Sequence, residues 1–112
     1  MSDDDQRLGL GEITEQSAFV RLLETKARVK MLDVLMRHSY AALSQSQIAD
    51  RANLDQTTVS RNIDVFEDLD VVEVEDGWPT EYQIDRDSAV VHGLEQAQTA
   101  LLEHSERLVE ET

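Results

Sequence analysis

The chain has 112 residues, with one proline and no cysteine, and its 24 acidic against 10 basic residues give a formal net charge of -14. This length fits one small domain, and the lack of cysteine excludes a disulfide scaffold, cysteine-based zinc or iron–sulfur sites and thiol redox chemistry. No apolar run reaches the roughly 18 residues that a membrane helix needs, and the acidic start is unlike a signal peptide, so we expect a soluble cytoplasmic protein.

Apolar spacing predicts two helices in the first third of the chain. Residues 1–12 are interpreted as an acidic N-terminal arm, and from Thr14 to Glu24 apolar residues recur at helical spacing. Thr25 can cap a second helix, which has a broad apolar face. A short extended piece is expected from Tyr40 to Leu43.

Two further helices are predicted next. Ser44-Gln45-Ser46-Gln47 has the S-x-x-Q form of a capping box, which marks a helix start. Asn53-Leu54 is a tight connection, and Asp55 is a good N-cap for the following helix. The expected buried side of that helix consists of Val59, Ile63 and Phe66, with Leu69 on its flank.

The last third predicts a hairpin and a long helix. The apolar positions Val71, Val72 and Val74, and then Thr80, Tyr82 and Ile84, favour two short strands around a turn over 75–79. Asp87 or Ser88 can cap a helix that runs to about Leu108. Its seam has coiled-coil-like spacing, which predicts pairing with a second copy of the chain. The expected interface residues are Val90, Leu94, Ala97, Leu101, His104 and Leu108.

The order of these elements predicts a mainly α fold with a small β-hairpin (α+β), namely a winged helix-turn-helix with an N-terminal helix and a long C-terminal dimerisation helix. The DNA-binding domain is expected over 13–86, and the dimerisation helix over 87–112.

The helix over 56–69 has an outer face suited to DNA. Steps of 100° from the buried side place on this face Thr57, Ser60, Arg61, Asp64 and Asp68. The first half of the face is uncharged and rich in hydroxyls, which lets a helix approach base edges closely. Arg61 is the only cation on the helix. It favours a bidentate contact to guanine, and the alternative is a surface ion pair with Asp64 or Asp68.

The run from Ser46 to Ile63 (SQIADRANLDQTTVSRNI) resembles the helix-turn-helix of MarR/ArsR-type winged-helix regulators. Lys26 to Leu35 (KARVKMLDVL) resembles the preceding helix, especially in haloarchaeal members. The resemblance covers about residues 17–85 and implies a homodimeric, sequence-specific DNA-binding transcription regulator. It also implies that Thr57, Ser60 and Arg61 face the major groove, and together with Gln56 they are the expected base-reading residues.

Contacts to the DNA backbone are expected from the basic segment over 16–37 and from the starts of the helices. The residues expected to make them are Lys26, Arg28, Lys30, Ser44, Gln45, Ser46, Gln47, Arg51 and Thr58. For each cation the alternative is solvation or an intramolecular pair with Glu24, Asp33 or Asp50.

The hairpin turn departs from the family's pattern. Wings of this family commonly carry Arg or Lys at the tip, whereas Glu75-Asp76-Gly77-Trp78-Pro79 contains no cation. Either the wing contributes little to DNA binding, or Gly77 and Trp78 contact DNA through backbone N–H groups and the indole. Packing of Trp78 back onto the domain is the alternative.

Neither a metal site nor catalysis is expected, and no cofactor is predicted. The zinc motif of some ArsR-type proteins needs Asp-x-His and His-x-x-Glu/His. Val90 stands before His92, and Arg107 stands after His104, so both halves lack a ligand. His92 with Glu95, or His104 with Glu103, is the remaining metal interpretation. No nucleophile elbow or glycine-rich phosphate loop accompanies the Ser, His and Asp residues, so the chain is not expected to be an enzyme.

The acidity by itself argues against a nucleic-acid partner. However, high Asp and Glu content with only two lysines favours a protein adapted to concentrated salt, where the Debye length is about 3 Å at 1 M. The expected partners are therefore double-stranded DNA, a second copy of the chain and inorganic ions from a high-salt medium. The alternative function is that of an acidic protein–protein adaptor or anti-repressor that uses the same fold without DNA.

Overall fold

A computed structural model describes residues 18–111 of the chain and the side chains of residues 19–105. The elements of this part are α1 (Ala18–Leu23), α2 (Lys26–Arg37), β1 (Leu43–Ser44), α3 (Gln45–Ala52), α4 (Gln56–Asp68), β2 (Val72–Glu75), β3 (Glu81–Ile84) and α5 (Ala89–Glu111). The predicted arm over 1–12 and the first residues of the helix predicted from Thr14 lie outside the described residues. The mainly helical fold with a β-hairpin is confirmed.

Side-chain caps set the start of three helices. The Thr25 hydroxyl accepts a hydrogen bond from the Arg28 amide at 3.2 Å and starts α2. At α3 both bonds of the predicted capping box form, because Ser44 Oγ accepts from the Gln47 amide at 3.2 Å and Gln47 Oε1 accepts from the Ser44 amide at 2.9 Å. Ser88 caps α5 through a bond from the Val90 amide at 3.1 Å. Each cap satisfies an amide that has no partner within its helix.

The connection between α3 and α4 is short because Asn53 takes the left-handed conformation, with a φ of 57°. Asparagine tolerates this region better than most residues, and the Leu54 amide can then donate back to the Ala49 carbonyl at 2.9 Å. Asp55 occupies the N-cap position of α4 as predicted. Its carboxylate makes no capping hydrogen bond.

The sheet has three antiparallel strands in the order β1-β3-β2. The hairpin pairs Val72 with Ile84 and Val74 with Tyr82, and β1 adds to the other edge of β3. The sequence did not predict this third strand as part of the sheet. The extended piece expected from Tyr40 to Leu43 is also wrong in extent. The Ala41 amide donates to the His38 carbonyl at 2.9 Å, which turns the chain before β1 begins.

One hydrophobic core joins the helices to the inner face of the sheet. Val59, Ile63 and Phe66 of α4 are at most 1% exposed, as predicted, and Leu69 is half-buried. Val91 is the one side chain that α5 buries completely among its described residues, with Leu94 packed beside the core. The core therefore fixes α4 and leaves most of α5 in solvent. No helix of residues 18–111 has both the length and the apolar character needed to cross a membrane.

Candidate nucleic-acid interface

The base-reading residues expected on α4 share one exposed face. Gln56, Thr57, Ser60 and Arg61 are all exposed, whereas Val59 between them is completely buried. Thr58 is half-buried at the margin of this face. The helical-wheel prediction that Thr57, Ser60, Arg61, Asp64 and Asp68 lie on the outside of α4 is therefore confirmed, and a polar surface of α4 is open to a partner.

Arg61 does not form the surface ion pairs that were considered for it. No carboxylate of the described residues lies within salt-bridge distance of its guanidinium, and Asp68 instead lies 3.4 Å from Arg21 of α1. Because Arg61 is exposed, its planar set of donors is accessible at the surface.

The four neutral residues at the start of α3 that were expected to contact phosphate differ in their exposure and hydrogen bonds. Ser44 and Gln47 bond to each other in the capping box, and Gln45 Nε2 lies 3.1 Å from the Tyr82 hydroxyl of the wing. Ser44 is also only 7% exposed, which argues against the expected contact with DNA. Ser46 is exposed and has no side-chain hydrogen bond to any described residue. The capping box uses the side-chain oxygens of Ser44 and Gln47 as acceptors, and only Gln45 uses its side-chain donor within the described part of the fold.

The cations of the basic segment over 16–37 and Arg51 of α3 have different environments. Lys26 and Arg51 are exposed and Lys30 is half-buried. Arg37 pairs with Asp33 on the same helix at 3.1 Å. Lys26, Lys30 and Arg51 therefore remain candidates for phosphate contacts.

Arg28 lies inside the fold, with only 15% of its side chain exposed. Its Nε donates to Asn62 Oδ1 at 2.9 Å, and its Nη1 bonds to the Glu24 carboxylate at 3.0 Å and to the Arg21 carbonyl. This placement argues against the phosphate contact expected for Arg28, because its Nε and Nη1 donors bond within the fold and the side chain is mostly buried. The pair with Glu24 was an alternative visible in the sequence, whereas no sequence signal indicated Asn62.

The wing tip is acidic and has an exposed aromatic side chain. Trp78 is fully exposed, so the alternative in which it packs back onto the domain is wrong. Glu75, Asp76 and Gly77 are exposed beside it, and the Gly77 carbonyl lies 3.4 Å from the Thr80 hydroxyl. The indole is therefore available to a partner, next to carboxylates that repel phosphate.

Part of the predicted dimerisation seam on α5 is apolar and open. Val90 and Leu101 are 42% and 67% exposed, and Ala97 and His104 are exposed beside them. Leu94 differs, because it packs partly against the core, and the side chain of Leu108 lies outside the described residues. On α1, Phe19 and Leu23 are 76% and 42% exposed.

The described histidines do not assemble a metal centre. No group of three His, Cys, Asp or Glu residues with suitable placement occurs among the described residues. His92 Nε2 lies 2.6 Å from the Arg86 carbonyl, and since a carbonyl only accepts, this nitrogen carries the proton. One of the two ring nitrogens of His92 is therefore not available to a metal held with Glu95.

Comparisons with known proteins agree with this architecture. A family model of a helix-turn-helix domain matches residues 22–75. No curated protein matches the chain in sequence.

Two solved structures share the fold over nearly their whole length. The first is the homodimeric winged helix-turn-helix DNA-binding domain of a possible ArsR-family transcriptional regulator from Mycobacterium bovis. It is 21% identical, with a TM-score of 0.65 over 96% of this chain and 95% of that chain. The second is NolR from Sinorhizobium fredii, which is 18% identical, with a TM-score of 0.60 over 87% of this chain and 96% of that chain. The chain therefore has the winged helix-turn-helix fold, and its residues 22–75 are similar to the helix-turn-helix domain family.

Proposed function

We propose that the chain is a sequence-specific DNA-binding transcription regulator that acts as a homodimer in a high-salt cytoplasm. The recognition helix is α4, which enters the major groove with Gln56, Thr57, Ser60 and Arg61 toward the bases. The observation that carries this proposal is the open polar face of α4 on a helix-turn-helix scaffold, with an exposed Arg61.

The composition of this face supports contact with DNA. Hydroxyl and amide side chains donate and accept hydrogen bonds at short range, and arginine makes the commonest specific contact to guanine. Lys26, Lys30, Arg51 and the exposed Ser46 would contact the phosphates around it. Thr58, at the margin of the face, retains its expected backbone role.

The homodimer is supported by the apolar surface on α5 and by the similar fold of a homodimeric domain. Val90, Ala97 and Leu101 would be covered by the same helix of a second copy. A two-fold dimer presents two copies of α4 to successive turns of the major groove, as helix-turn-helix dimers do.

The high-salt setting is supported by the charge of -14 together with the resemblance to haloarchaeal regulators. At low ionic strength the acidic body would repel DNA, and concentrated cations would screen this repulsion. The inorganic ions of the medium therefore act as part of the binding equilibrium.

The proposal is tested by footprinting the full chain on the DNA upstream of its own gene, in molar potassium chloride. We expect two protected half-sites whose centres lie about 10–10.5 base pairs, or a multiple of this, apart. Complete lack of protection across a salt series would contradict a DNA-binding role.

That negative result would favour the adaptor function, for which the acidic wing with its exposed Trp78 is the supporting observation.

A further inference from the structure

We propose that Arg28 and Asn62 are positioning residues that hold the recognition helix α4 in a fixed orientation relative to α1. Through this orientation they would set the spacing between the two half-sites that a dimer reads. The inference rests on the proposed function. It assigns Arg28 a role different from the phosphate contact predicted from the sequence.

Arg28 connects three helices through one guanidinium group. From α2 it reaches the Arg21 carbonyl near the end of α1, the Glu24 carboxylate beyond that helix, and Asn62 on α4. Asn62 also bonds within α4, because its Nδ2 donates to the Thr58 carbonyl at 2.7 Å. The amide oxygen and nitrogen of Asn62 are thus used on opposite sides, which fixes the orientation of its side chain.

Because Arg28 is mostly buried, its guanidinium needs its hydrogen-bond partners in a defined arrangement. The Arg28 side chain is 15% exposed, so a guanidinium without partners there would lack most of its hydration. The planar fork of donors satisfies its partners only in a narrow range of helix orientations. Among the described residues, α1 and α4 are also joined by the Arg21–Asp68 ion pair at 3.4 Å. The side chains of this pair are 40% and 61% exposed, so it is less buried than the Arg28 contact. Exposed pairs of that kind contribute little.

The orientation of α1 matters because this helix has apolar surface that the single chain does not bury. Phe19 is 76% exposed and Leu23 is 42% exposed, on the helix whose end Arg28 holds. If a second copy covers this surface together with α5, α1 belongs to the two-fold interface. A change in the α1–α4 angle then occurs in both protomers, so it shifts the two recognition helices symmetrically and changes their separation.

Four substitutions separate this role from charge and from folding. Arg28→Met and Asn62→Leu remove the contact with side chains of similar size. Asn62→Asp keeps an acceptor for Arg28 and replaces the donor to the Thr58 carbonyl with a second carboxylate oxygen. Arg37→Met is the matched control, because it removes the same charge from an exposed residue of the same helix.

The first measurement is the distance between the two copies of α4 in the full-length dimer. The sequence has no cysteine, so Asp64→Cys on the exposed face of α4 carries one spin label per chain. Pulsed electron paramagnetic resonance then reports the label-to-label distance without DNA. We expect a narrow distribution for the labelled parent, Asn62→Asp and Arg37→Met, and a broad or shifted one for Arg28→Met and Asn62→Leu.

The second measurement is binding to duplexes whose half-sites are moved apart or together by single base pairs. We expect Arg28→Met and Asn62→Leu to lose about tenfold of the preference for the best spacing, the size of effect typical of one charge-assisted hydrogen bond. Arg37→Met should retain the preference.

An unchanged distance distribution in a folded Arg28→Met or Asn62→Leu dimer would overturn the inference. If Arg28→Met does not fold, Asn62→Leu decides, because a narrow distribution in that folded dimer would show that the Arg28 contact is not what holds α4. A labelled parent that gives no intermolecular distance would overturn the homodimer itself, and the inference with it. A dimer with the expected distances but no DNA binding would contradict the proposed regulator and the half-site spacing, but not the role of Arg28 and Asn62 in orienting α4.

Discussion

Some polar side chains on α2, α3 and α4 bond to another element of the fold, and others face the solvent without such a bond. Arg28 and Gln45 belong to the first kind, because each meets a specific acceptor on another element. Ser60 and Arg61 belong to the second. A group whose donors are already satisfied gains little from a phosphate, so the second kind is the better candidate for DNA contacts.

Among single residues, Arg61 provides the sharpest test of DNA recognition. Arg61→Ala should remove about 1–3 kcal/mol of discrimination between the operator and a mutated operator, because a bidentate contact to guanine is lost. The fold should be unchanged, since the side chain is exposed. Competition binding at the working salt measures the change.

Arg37→Ala is the control for this test, because it removes an exposed cation that lies outside the α4 face. Equal loss of specificity in both variants, or retention of full specificity by Arg61→Ala, would exclude base reading by Arg61.

Among the elements, α3 depends on its capping box. Ser44→Ala removes the acceptor for the Gln47 amide in a position that is only 7% exposed. We expect a loss of about 1 kcal/mol in the free energy of unfolding, the usual effect of losing an N-cap hydroxyl. Urea denaturation followed by circular dichroism measures it. Ser46→Ala, two residues later and exposed, should change the midpoint little. If both variants lose the same stability, the cap is not the cause.

The long helix α5 allows a test of the proposed dimer interface. Leu101 is 67% exposed on the predicted seam, and a charge placed there would be buried in a dimer without a partner. Leu101→Glu should therefore give a monomer in multi-angle light scattering at high salt.

Thr99→Glu adds the same charge to an exposed position of α5 off the seam and should remain dimeric. A Leu101→Glu dimer as stable as the parent would move the interface to α1, where Phe19 is exposed.

For the whole molecule, the charge of -14 is distributed so that the α4 face remains open and nearly neutral. Few cations, among them Lys26, Arg51 and Arg61, would then replace counterions on DNA. Ordinary basic regulators lose affinity with a log–log salt slope of about -0.9 for each phosphate neutralised. We expect a shallow slope for this chain, or one of opposite sign where added cations screen the acidic body. Fluorescence anisotropy from 0.2 M to 3 M potassium chloride measures it, and a steep negative slope would contradict this account.

Much of the fold could be predicted from the sequence because its signals are local. Thr25 and Ser44 cap helices by bonding to amides three residues later. The spacing of Val59, Ile63 and Phe66 indicates the buried face of α4. The exposed face of α4 follows from the same spacing. None of these features needs a contact between distant parts of the chain, so a single sequence is enough to predict them.

Only the tertiary structure decided which polar residues are available. Arg28 and Asn62 are 34 residues apart, and Gln45 and Tyr82 are 37 apart, so no local pattern pairs them. The same is true of β1, whose pairing with β3 depends on where the helices place the two segments. The sequence by itself determined the helices, the hairpin and the exposed α4 face, because these depend on near neighbours. Packing decided that Arg28 bonds to α1 and α4 and that Trp78 is exposed, because burial and hydrogen-bond partners depend on contacts made across the fold.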